Sequence, residues 1–262
     1  MSRHHSFGTQ VRLDRLNLRG DGKLMIVPLD HSVADGPITP GRPLDSLVGE
    51  LTEAGVDAIV LHKGTARHVR PSRFTTTSLI VHLSASTAHA PDPDAKYMVA
   101  DVEAALRLSA DAVSVHVNMG SREEARQIAD LAWVAEACDR WNVPLLAMMY
   151  ARGPAIENGA DPALVTHSAT LAADLGADIV KITYPGSPQN LAEVVRACPI
   201  PVVVAGGAST GGREQVLDLA SVAMRSGTAG LAVGRNIFHA AHPGEIAREI
   251  TDRIHGRATA AA

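Results

Sequence analysis

Aromatic residues are scarce in this 262-residue chain, and several other features that mark particular classes of protein are missing. Phenylalanine, tryptophan and tyrosine make up only 3% of the sequence, which leaves little material for stacking nucleic-acid bases. The formal net charge is −4, so the basic excess expected of a polyanion-binding protein is absent. No apolar run approaches the roughly 18 residues of a membrane-spanning helix. We therefore predict neither a nucleic-acid partner nor a membrane partner.

Cysteine is also rare. The two cysteines, Cys138 and Cys198, lie in segments predicted to be helical and show no CxxC or other metal-ligand spacing. This pattern is typical of free thiols in a reducing compartment. The first ten residues are polar and contain histidine, unlike a signal peptide. We therefore expect a cytoplasmic protein.

Hydrophobic residues account for 46% of the sequence and are distributed in a regular alternation. Short apolar runs predict eight strands: Leu24–Leu29, Ala58–Leu61, Leu79–Leu83, Ala112–Val117, Leu145–Met149, Ile179–Thr183, Val202–Ala205 and Gly230–Val233. Amphipathic stretches predict helices near 42–54, 64–70, 96–108, 121–140, 162–175, 189–197, 213–226 and 244–255.

Apolar strands that alternate with helices are typical of a parallel sheet covered by helices. Eight such units predict an α/β fold, a TIM (β/α)8 barrel, forming a single domain over residues 1–262 with an extra N-terminal helix at 8–20. A doubly wound open sheet is the alternative, but no GxGxxG motif follows the first strand.

The turns that lead from a helix into the next strand repeat a pattern. Gly55-Val56-Asp57, Ser109-Ala110-Asp111 and Gly176-Ala177-Asp178 each stand directly before a predicted strand. Two helix starts are also marked, by a capping box at Ser121 and Glu124 and by Asp161 followed by proline. These signals support the helix and strand boundaries.

Lys181 lies in the middle of the apolar strand Ile179–Thr183, where a lysine is costly, and the chain has only four lysines against twenty arginines. A buried amine must either pair with an acid or lose its proton, and a neutral amine is a nucleophile. Inside a barrel it can attack a ketone and form an iminium, which makes or breaks the adjacent carbon–carbon bond. The alternatives are a lysine paired with an acid or one whose end reaches water.

Polar residues collect where the predicted strands end, which in a TIM barrel is the face that carries the active site. Tyr150, one strand from Lys181, can shuttle protons, and Asp30 can hold a substrate hydroxyl or act as acid or base. The turns Gly206-Gly207 and Gly234-Arg235 follow strands seven and eight, where backbone N–H groups and an arginine can surround a phosphate.

Four histidines offer a competing interpretation. His31, His62, His82 and His116 all lie on or next to the first four strands, and barrels do build metal sites from such residues. No pair has the spacing of a local ligand motif, so we predict no metal. A metal-dependent aldolase or epimerase acting on sugar phosphates remains the alternative. A sugar-phosphate-binding protein without catalysis is the third hypothesis, although it would not need a buried lysine.

The same residues belong to motifs that occur in order along the chain. These are Val27-Pro28-Leu29-Asp30-His31, Asp35-Gly36-Pro37, His82-Leu83-Ser84-Ala85-Ser86-Thr87, Ser114-Val115-His116-Val117-Asn118, Met149-Tyr150-Ala151-Arg152-Gly153, Gly176-Ala177-Asp178-Ile179-Val180-Lys181, Val204-Ala205-Gly206-Gly207 and Val233-Gly234-Arg235-Asn236-Ile237-Phe238. From about residue 10 to 255 the chain resembles class I (Schiff-base) aldolases of the DeoC/FbaB family. Within that family it is similar to the 2-amino-3,7-dideoxy-D-threo-hept-6-ulosonate synthases and the related 2-amino-4,5-dihydroxy-6-oxo-7-(phosphonooxy)heptanoate synthases.

The resemblance implies a Schiff-base lysine at Lys181, a proton-shuttling Tyr150 and a catalytic Asp30. It also implies phosphate binding at the two glycine-rich turns, no metal or cofactor, and assembly as a homo-oligomer. Related enzymes condense L-aspartate 4-semialdehyde with a phosphorylated donor, either dihydroxyacetone phosphate or 6-deoxy-5-ketofructose 1-phosphate. Arg152 or His31 is the candidate for holding the semialdehyde carboxylate. Fructose-bisphosphate aldolase-like activity is the alternative within the family.

The sequence departs from the family pattern at three positions. Ser32 replaces a glycine after the Asp-His pair, Pro185 replaces a threonine after the lysine, and His239 replaces a glutamine after Asn-Ile-Phe. We expect all three to lie near the substrate mouth and to bear on substrate identity rather than on the chemistry.

Overall fold

The fold is a closed barrel of parallel strands, seen in a computed structural model that describes residues 5–39, 41–207 and 212–256. Within those ranges eight strands pair in chain order, and the last pairs with the first, which closes the barrel. The strands are β1 Leu24–Pro28, β2 Ala58–His62, β3 Ser78–His82, β4 Ala112–Met119, β5 Leu145–Ala151, β6 Ile179–Ile182, β7 Val202–Ala205 and β8 Gly230–Ala232. The predicted TIM barrel is confirmed, with strand ends shifted by one or two residues.

Helices cover the outside of the barrel and occupy its loops. They are α1 Phe7–Leu16, α2 Ser32–Asp35, α3 Leu44–Glu53, α4 Lys63–Ala66, α5 Val102–Leu106, α6 Glu124–Trp141, α7 Pro162–Asp174, α8 Pro188–Ala197, α9 Gly212–Arg225, α10 Arg235–Phe238 and α11 Pro243–Ile254. None of the helices in the described ranges is both long and apolar enough to cross a membrane. The N-terminal helix predicted at 8–20 is confirmed, although it ends at Leu16.

The prediction of a helix over 96–108 is wrong in its first half. Tyr97–Met98 instead pairs antiparallel with Ser84–Ala85, which forms a short ribbon above the barrel. The helix starts only after Asp101, whose carboxylate accepts the Ala104 N–H at 2.6 Å. The predicted helix at 64–70 is likewise limited to α4. In both places a local backbone partner or cap outweighs a weak helical pattern.

Alternate residues of each strand face the inside of the barrel, as the two-residue period of a strand requires. The lower interior is apolar and is filled by Leu24, Ile26, Ala58, Val60, Ile80, Ala112, Leu146, Met148, Ile179, Val203 and Ala232. Leu16 of α1 belongs to this cluster and is 1% exposed, so the N-terminal helix closes the lower end. The other face of the strands packs against the surrounding helices.

The lower ends of the strands are joined in pairs by the three repeated turns. Asp57 donates its N–H to the Met25 carbonyl at 3.0 Å and accepts the Met25 N–H on its carboxylate at 2.6 Å. Asp111 makes the same two hydrogen bonds with the backbone of Leu79, and Asp178 makes them with the backbone of Leu145. The residue two positions before each aspartate has positive φ, which even Ser109 adopts, at 57°.

Candidate active site

The upper end of the barrel contains two adjoining cavities, and together they are lined by all nine site residues predicted from the sequence. The first cavity has a volume of about 290 Å³ and the second about 680 Å³. Both are lined by His31, Tyr150, Arg152, Lys181 and Arg235. Asp30 lines only the first cavity, while Gly206, Gly207 and Gly234 line only the second. The shared wall therefore separates a region rich in titratable side chains from a region rich in glycine.

Lys181 points into the barrel from β6, two residues above Ile179 of the apolar interior. Its register partners are Met148 on β5 and Val203 on β7, and it is 7% exposed. No hydrogen bond joins its amine to any residue of the described ranges. The amine is thus held at the boundary between the apolar interior and the cavities, where its nitrogen stays available to a ligand.

Tyr150 stands beside Lys181 on the neighbouring strand β5. The Lys181 Nζ lies 5.9 Å from the centre of the Tyr150 ring. The ring is also flanked by His116, whose centre is 4.9 Å away, and by the Arg152 guanidinium at 5.4 Å. These contacts hold the ring over the amine. A phenol in this place can exchange protons with a ligand bound to the lysine.

Asp30 follows β1, and its carboxylate lacks a hydrogen-bond partner in the described part of the chain. Its Oδ1 is buried and unpaired, as is the neighbouring His31 Nδ1, 3.6 Å away. Its Oδ2 lies 3.7 Å from His82 Nε2. Burial alone would raise the pKa of Asp30, but His82, His31 and Lys181 lower that pKa to about 2. Asp30 is therefore ionised at neutral pH and can accept hydrogen bonds or a proton.

The buried histidines beneath Asp30 form a layer held by the barrel itself. His82 Nδ1 lies 2.8 Å from Ser114 Oγ, and its Nε2 lies 3.4 Å from Ser84 Oγ. His62 packs edge-on against His82, with the ring centres 5.3 Å apart. Burial lowers the pKa of His82 to about 4, so its imidazole is neutral at pH 7.

The four histidines all line the first cavity but make separate contacts. His116 contacts the Asn118 side chain at 2.7 Å, and His31 packs against Phe238. Among residues 5–39, 41–207 and 212–256, no three His, Cys, Asp or Glu side chains are grouped so that they could hold a metal ion. Burial lowers the pKa of all four imidazoles, and His62 and His82 are hydrogen-bonded beside Asp30.

The two glycine-rich turns lie side by side in the wall of the second cavity. Asn236 donates to the Gly206 carbonyl at 2.9 Å, and Arg235 donates to the Gly207 carbonyl at 3.3 Å. A Cβ on Gly234 would lie 2.7 Å from the Pro28 carbonyl oxygen and 2.8 Å from His31, so only glycine fits there. The Gly206 N–H is already bonded to Ala232, unlike that of Gly234, which has no partner among the described residues.

The reasoning from sequence missed two residues of the site. Lys96 lines the first cavity beside Arg152, although its segment was predicted to be a helix. Asn236 lines the second cavity and connects the two turns. The rarity of lysine could have drawn attention to Lys96, whereas nothing in the sequence indicates the ribbon that positions it.

The three departures from the family pattern lie close in sequence to residues that line the cavities. Ser32, Pro185 and His239 are absent from the described walls of both cavities. The Pro185 carbonyl accepts a hydrogen bond from Asn190 at 2.9 Å, and His239 packs against Phe238. Their chain neighbours His31, Val33 and Tyr184 do line the cavities, so the expectation that the three lie near the substrate mouth stays a prediction.

Comparison with known proteins connects this geometry to one group of enzymes. The model of the "DeoC/LacD family aldolase" matches residues 24–240. A 2-amino-4,5-dihydroxy-6-oxo-7-(phosphonooxy)heptanoate synthase from Streptomyces griseus is 56% identical over 259 residues, which cover 99% of this chain and 94% of that protein. A 2-amino-3,7-dideoxy-D-threo-hept-6-ulosonate synthase from Archaeoglobus fulgidus is 41% identical over 252 residues, covering 96% and 93%.

Solved structures agree with the sequence relatives. An archaeal fructose-1,6-bisphosphate aldolase, with its catalytic lysine bound to the carbinolamine intermediate of the substrate, superposes with a TM-score of 0.85 at 27% identity. The match covers 95% of this chain and 100% of that one. The relatives therefore share the entire barrel with this chain rather than an isolated motif.

Proposed function

This chain belongs to the DeoC/LacD family of aldolases, and from that premise we propose that Lys181 is the amine through which it acts. The enzyme is a class I aldolase, which makes a carbon–carbon bond through a lysine Schiff base. The observation that carries the assignment is a buried amine without a hydrogen-bond partner among the described residues, beside Tyr150 and between two cavities.

The reaction proceeds through covalent attachment of the donor. Lys181 Nζ attacks the ketone carbon of the donor, and the ketone oxygen leaves as water, which gives an iminium. Loss of a proton from the adjacent carbon gives an enamine, and this carbon attacks the aldehyde carbon of the acceptor. The new alkoxide takes up a proton, and water then hydrolyses the iminium to release the product and the free amine. Tyr150 is placed to move the protons of these steps.

The names of the relatives indicate the substrates. The product named for the Streptomyces griseus relative has seven carbons, with a ketone at C6, a phosphate at C7 and hydroxyls at C4 and C5. An aldol bond between C4 and C5 divides this product into dihydroxyacetone phosphate and aspartate 4-semialdehyde. We propose the same donor and L-aspartate 4-semialdehyde for this chain, and 6-deoxy-5-ketofructose 1-phosphate is the alternative donor.

The two cavities divide the substrate in a way that fits this proposal. A ketone bound to Lys181 would have its phosphate only one carbon away, and the glycine-rich turns line the second cavity together with Lys181. The Gly234 N–H and the Arg235 guanidinium supply donors there. The side chains of Asp30 and His31 line the first cavity, where the Asp30 carboxylate can bind a hydroxyl of the donor or the forming product.

Borohydride trapping tests the proposal directly. The protein is incubated with each donor, reduced with sodium borohydride and analysed by peptide mass spectrometry. We expect a stable adduct on Lys181 and none in Lys181→Ala, which should also lose at least about 10⁴-fold in turnover. Lys63→Ala, which changes an exposed lysine outside both cavities, is the control. Turnover near the wild-type level in Lys181→Ala would contradict the proposal.

A chelator experiment addresses the metal-dependent alternative. A Schiff-base enzyme keeps its activity in the presence of a chelator, because the iminium rather than a metal stabilises the enamine. Activity that disappears with the chelator and returns with Zn²⁺ or Mn²⁺ would instead favour a metal-dependent enzyme that uses the histidines as ligands.

Assembly as a homo-oligomer in the cytoplasm remains a prediction. Trp133 and Trp141 on α6 are 75% and 45% exposed, which is consistent with a covered surface in an assembly. Light scattering coupled to size-exclusion chromatography measures the subunit number.

A further inference from the structure

Lys96 and Arg152 both line the first cavity. Arg152 also lines the second, glycine-rich cavity, whereas Lys96 does not. We propose that these two cations bind the carboxylate of the aldehyde acceptor. This inference rests on the proposed function and adds to it the group that selects an amino-acid aldehyde over other aldehydes.

Lys96 is positioned by the short ribbon above the barrel. Its Nζ donates to Ser86 Oγ at 2.5 Å and to the Pro93 carbonyl at 3.0 Å. An ammonium group has three N–H donors, and the third finds no acceptor within the described ranges. Both bonds that it does make are to neutral groups, so no carboxylate is bonded to the ammonium. This arrangement leaves one donor and one charge for a ligand.

Arg152 supplies the second cation at the end of β5. Its guanidinium lies over the Tyr150 ring and makes no hydrogen bond to a residue of the described chain. Burial lowers the pKa of Lys96, and the nearby Arg152 lowers it further. Two like charges that approach each other without an acid bonded between them are costly, and a bound carboxylate removes that cost.

The cavity also presents negative charge, which indicates the kind of anion that it takes. Asp35 and Asp94 line the same wall and act on the charge of Lys96 in the opposite direction to Arg152. A phosphorylated aldehyde carries negative charge alone and would gain nothing from these carboxylates. An α-amino acid carries an ammonium beside its carboxylate, so a wall of both signs fits the zwitterion.

The order of the reacting groups along the substrates is consistent with this placement. The donor is attached at Lys181 and extends its phosphate into the second cavity, so the acceptor must approach from the first. The acceptor aldehyde has to reach the enamine next to Tyr150, and its other end then lies among the remaining residues of the first cavity. Lys96 lines the first cavity but not the second, which is consistent with a place at that end.

The test compares a charged and an uncharged acceptor. Turnover is measured with L-aspartate 4-semialdehyde and with propanal, in the wild type, in Lys96→Gln, in Arg152→Gln and in the control Lys63→Gln. Lys63 is an exposed lysine at the same end of the barrel, outside both cavities. For Lys96→Gln we expect kcat/KM for the semialdehyde to fall about 10- to 100-fold, mainly through KM. The value for propanal, and the donor adduct on Lys181, should not change.

A purely structural role for Lys96 gives a different result. If Lys96 only holds the ribbon, the two acceptors lose activity equally and Lys96→Arg fails to restore the preference. That result, or an unchanged preference with an intact adduct, would overturn the subsite and leave the proposed function standing. Absence of any donor adduct in the wild type would overturn the proposed function and the subsite with it.

Discussion

The two ends of the barrel use buried aspartates in opposite ways. At the lower end Asp57 accepts hydrogen bonds from the Met25 N–H and from the Arg19 guanidinium, and it also contacts His255 at 3.0 Å. At the upper end the Asp30 side chain is 16% exposed against 2% for Asp57, and its Oδ1 has no partner in the described part of the chain. The Asp57 carboxylate joins two strands to the segments that follow α1 and α11, while Asp30 lines a cavity.

The difference shows that partners rather than residue type decide what a buried carboxylate does. A carboxylate whose oxygens are all bonded stabilises the fold and is not available to a ligand. One with an unpaired oxygen is costly to the fold and is ready to bind. Matched substitutions at the two ends should therefore separate stability from activity.

The largest effect is expected from Asp30→Asn. The amide keeps the size of the side chain but removes the negative charge that faces the bound donor. Turnover should fall by about 10²- to 10⁴-fold, while the free energy of unfolding falls by no more than about 2 kcal/mol, because the charge loses the attraction of His82, His31 and Lys181 but no hydrogen bond with a described residue. Steady-state kinetics and urea unfolding measure the two quantities. An equal loss of both would remove the distinction between the two ends.

The same substitution at the lower end, Asp57→Asn, should have the reverse result. It removes the charge opposite Arg19 and His255 and turns an N–H group toward them, which should cost about 3 kcal/mol of unfolding free energy. Turnover per folded molecule should stay within about twofold, since the site lies at the other end of the barrel. Asp174→Asn, an exposed position near the end of α7, is the control and should change stability by less than about 0.5 kcal/mol.

The pH dependence of stability sharpens the description of the lower end. Burial alone lowers the pKa of His255, but hydrogen bonds to Asp57 and Asp21 outweigh it and raise that pKa above its usual 6.5. A raised pKa means that the folded state holds the proton more tightly. The ionic stabilisation is therefore complete below about pH 6.5 and is lost as the pH rises through the folded-state pKa.

Comparison of the wild type with His255→Gln isolates this contribution. The wild type should be more stable by about 1 kcal/mol at about pH 6, and the difference should shrink toward about pH 9. Urea unfolding at several pH values measures it. A difference that grows with pH would show that His255 is neutral in the folded protein.

The smallest effect is expected from adding a fourth aspartate like those of the three repeated turns. The pair β7 and β8 has the same turn as the other three, with Ala229 donating to the Val202 carbonyl at 2.8 Å but offering no carboxylate. Ala229→Asp should accept the Val202 N–H and gain about 0.5–1 kcal/mol of stability. Lys23, which donates to the adjacent Thr228 carbonyl, offers a nearby positive charge. A loss of stability in urea unfolding would mean that burial of the new carboxylate dominates.

The features that could be predicted from sequence are those that repeat or that violate a local rule. The eight apolar runs repeat and define the barrel, and the three turns that end in Asp57, Asp111 and Asp178 repeat and mark the starts of strands. Lys181 is a charged residue within an apolar strand, so the sequence alone identifies it as unusual. Asp161 caps α7 as predicted, accepting the N–H groups of Ala163 and Leu164. The box at Ser121 and Glu124 is shifted, because Glu124 accepts the Gly120 N–H instead.

The features that could not be predicted depend on contacts between distant segments. Lys96 joins the site because Tyr97–Met98 pairs with Ser84–Ala85, a pairing with no periodic signal in either segment. The side chains of Ser32, Pro185 and His239 are absent from the described walls of the two cavities for the same kind of reason. Nearness in sequence to a site residue does not determine the direction in which a loop side chain points.

The sequence by itself determined the barrel, the strand that carries the reactive lysine and the end at which polar groups collect, because strand periodicity and the cost of burying charge act locally along the chain. Only the tertiary structure decided which aspartate is bonded and which is left open. It also decided that the site consists of two cavities that meet at Lys181 and that Lys96 faces Arg152. Those properties depend on distances between segments far apart in sequence, which closure of the barrel sets.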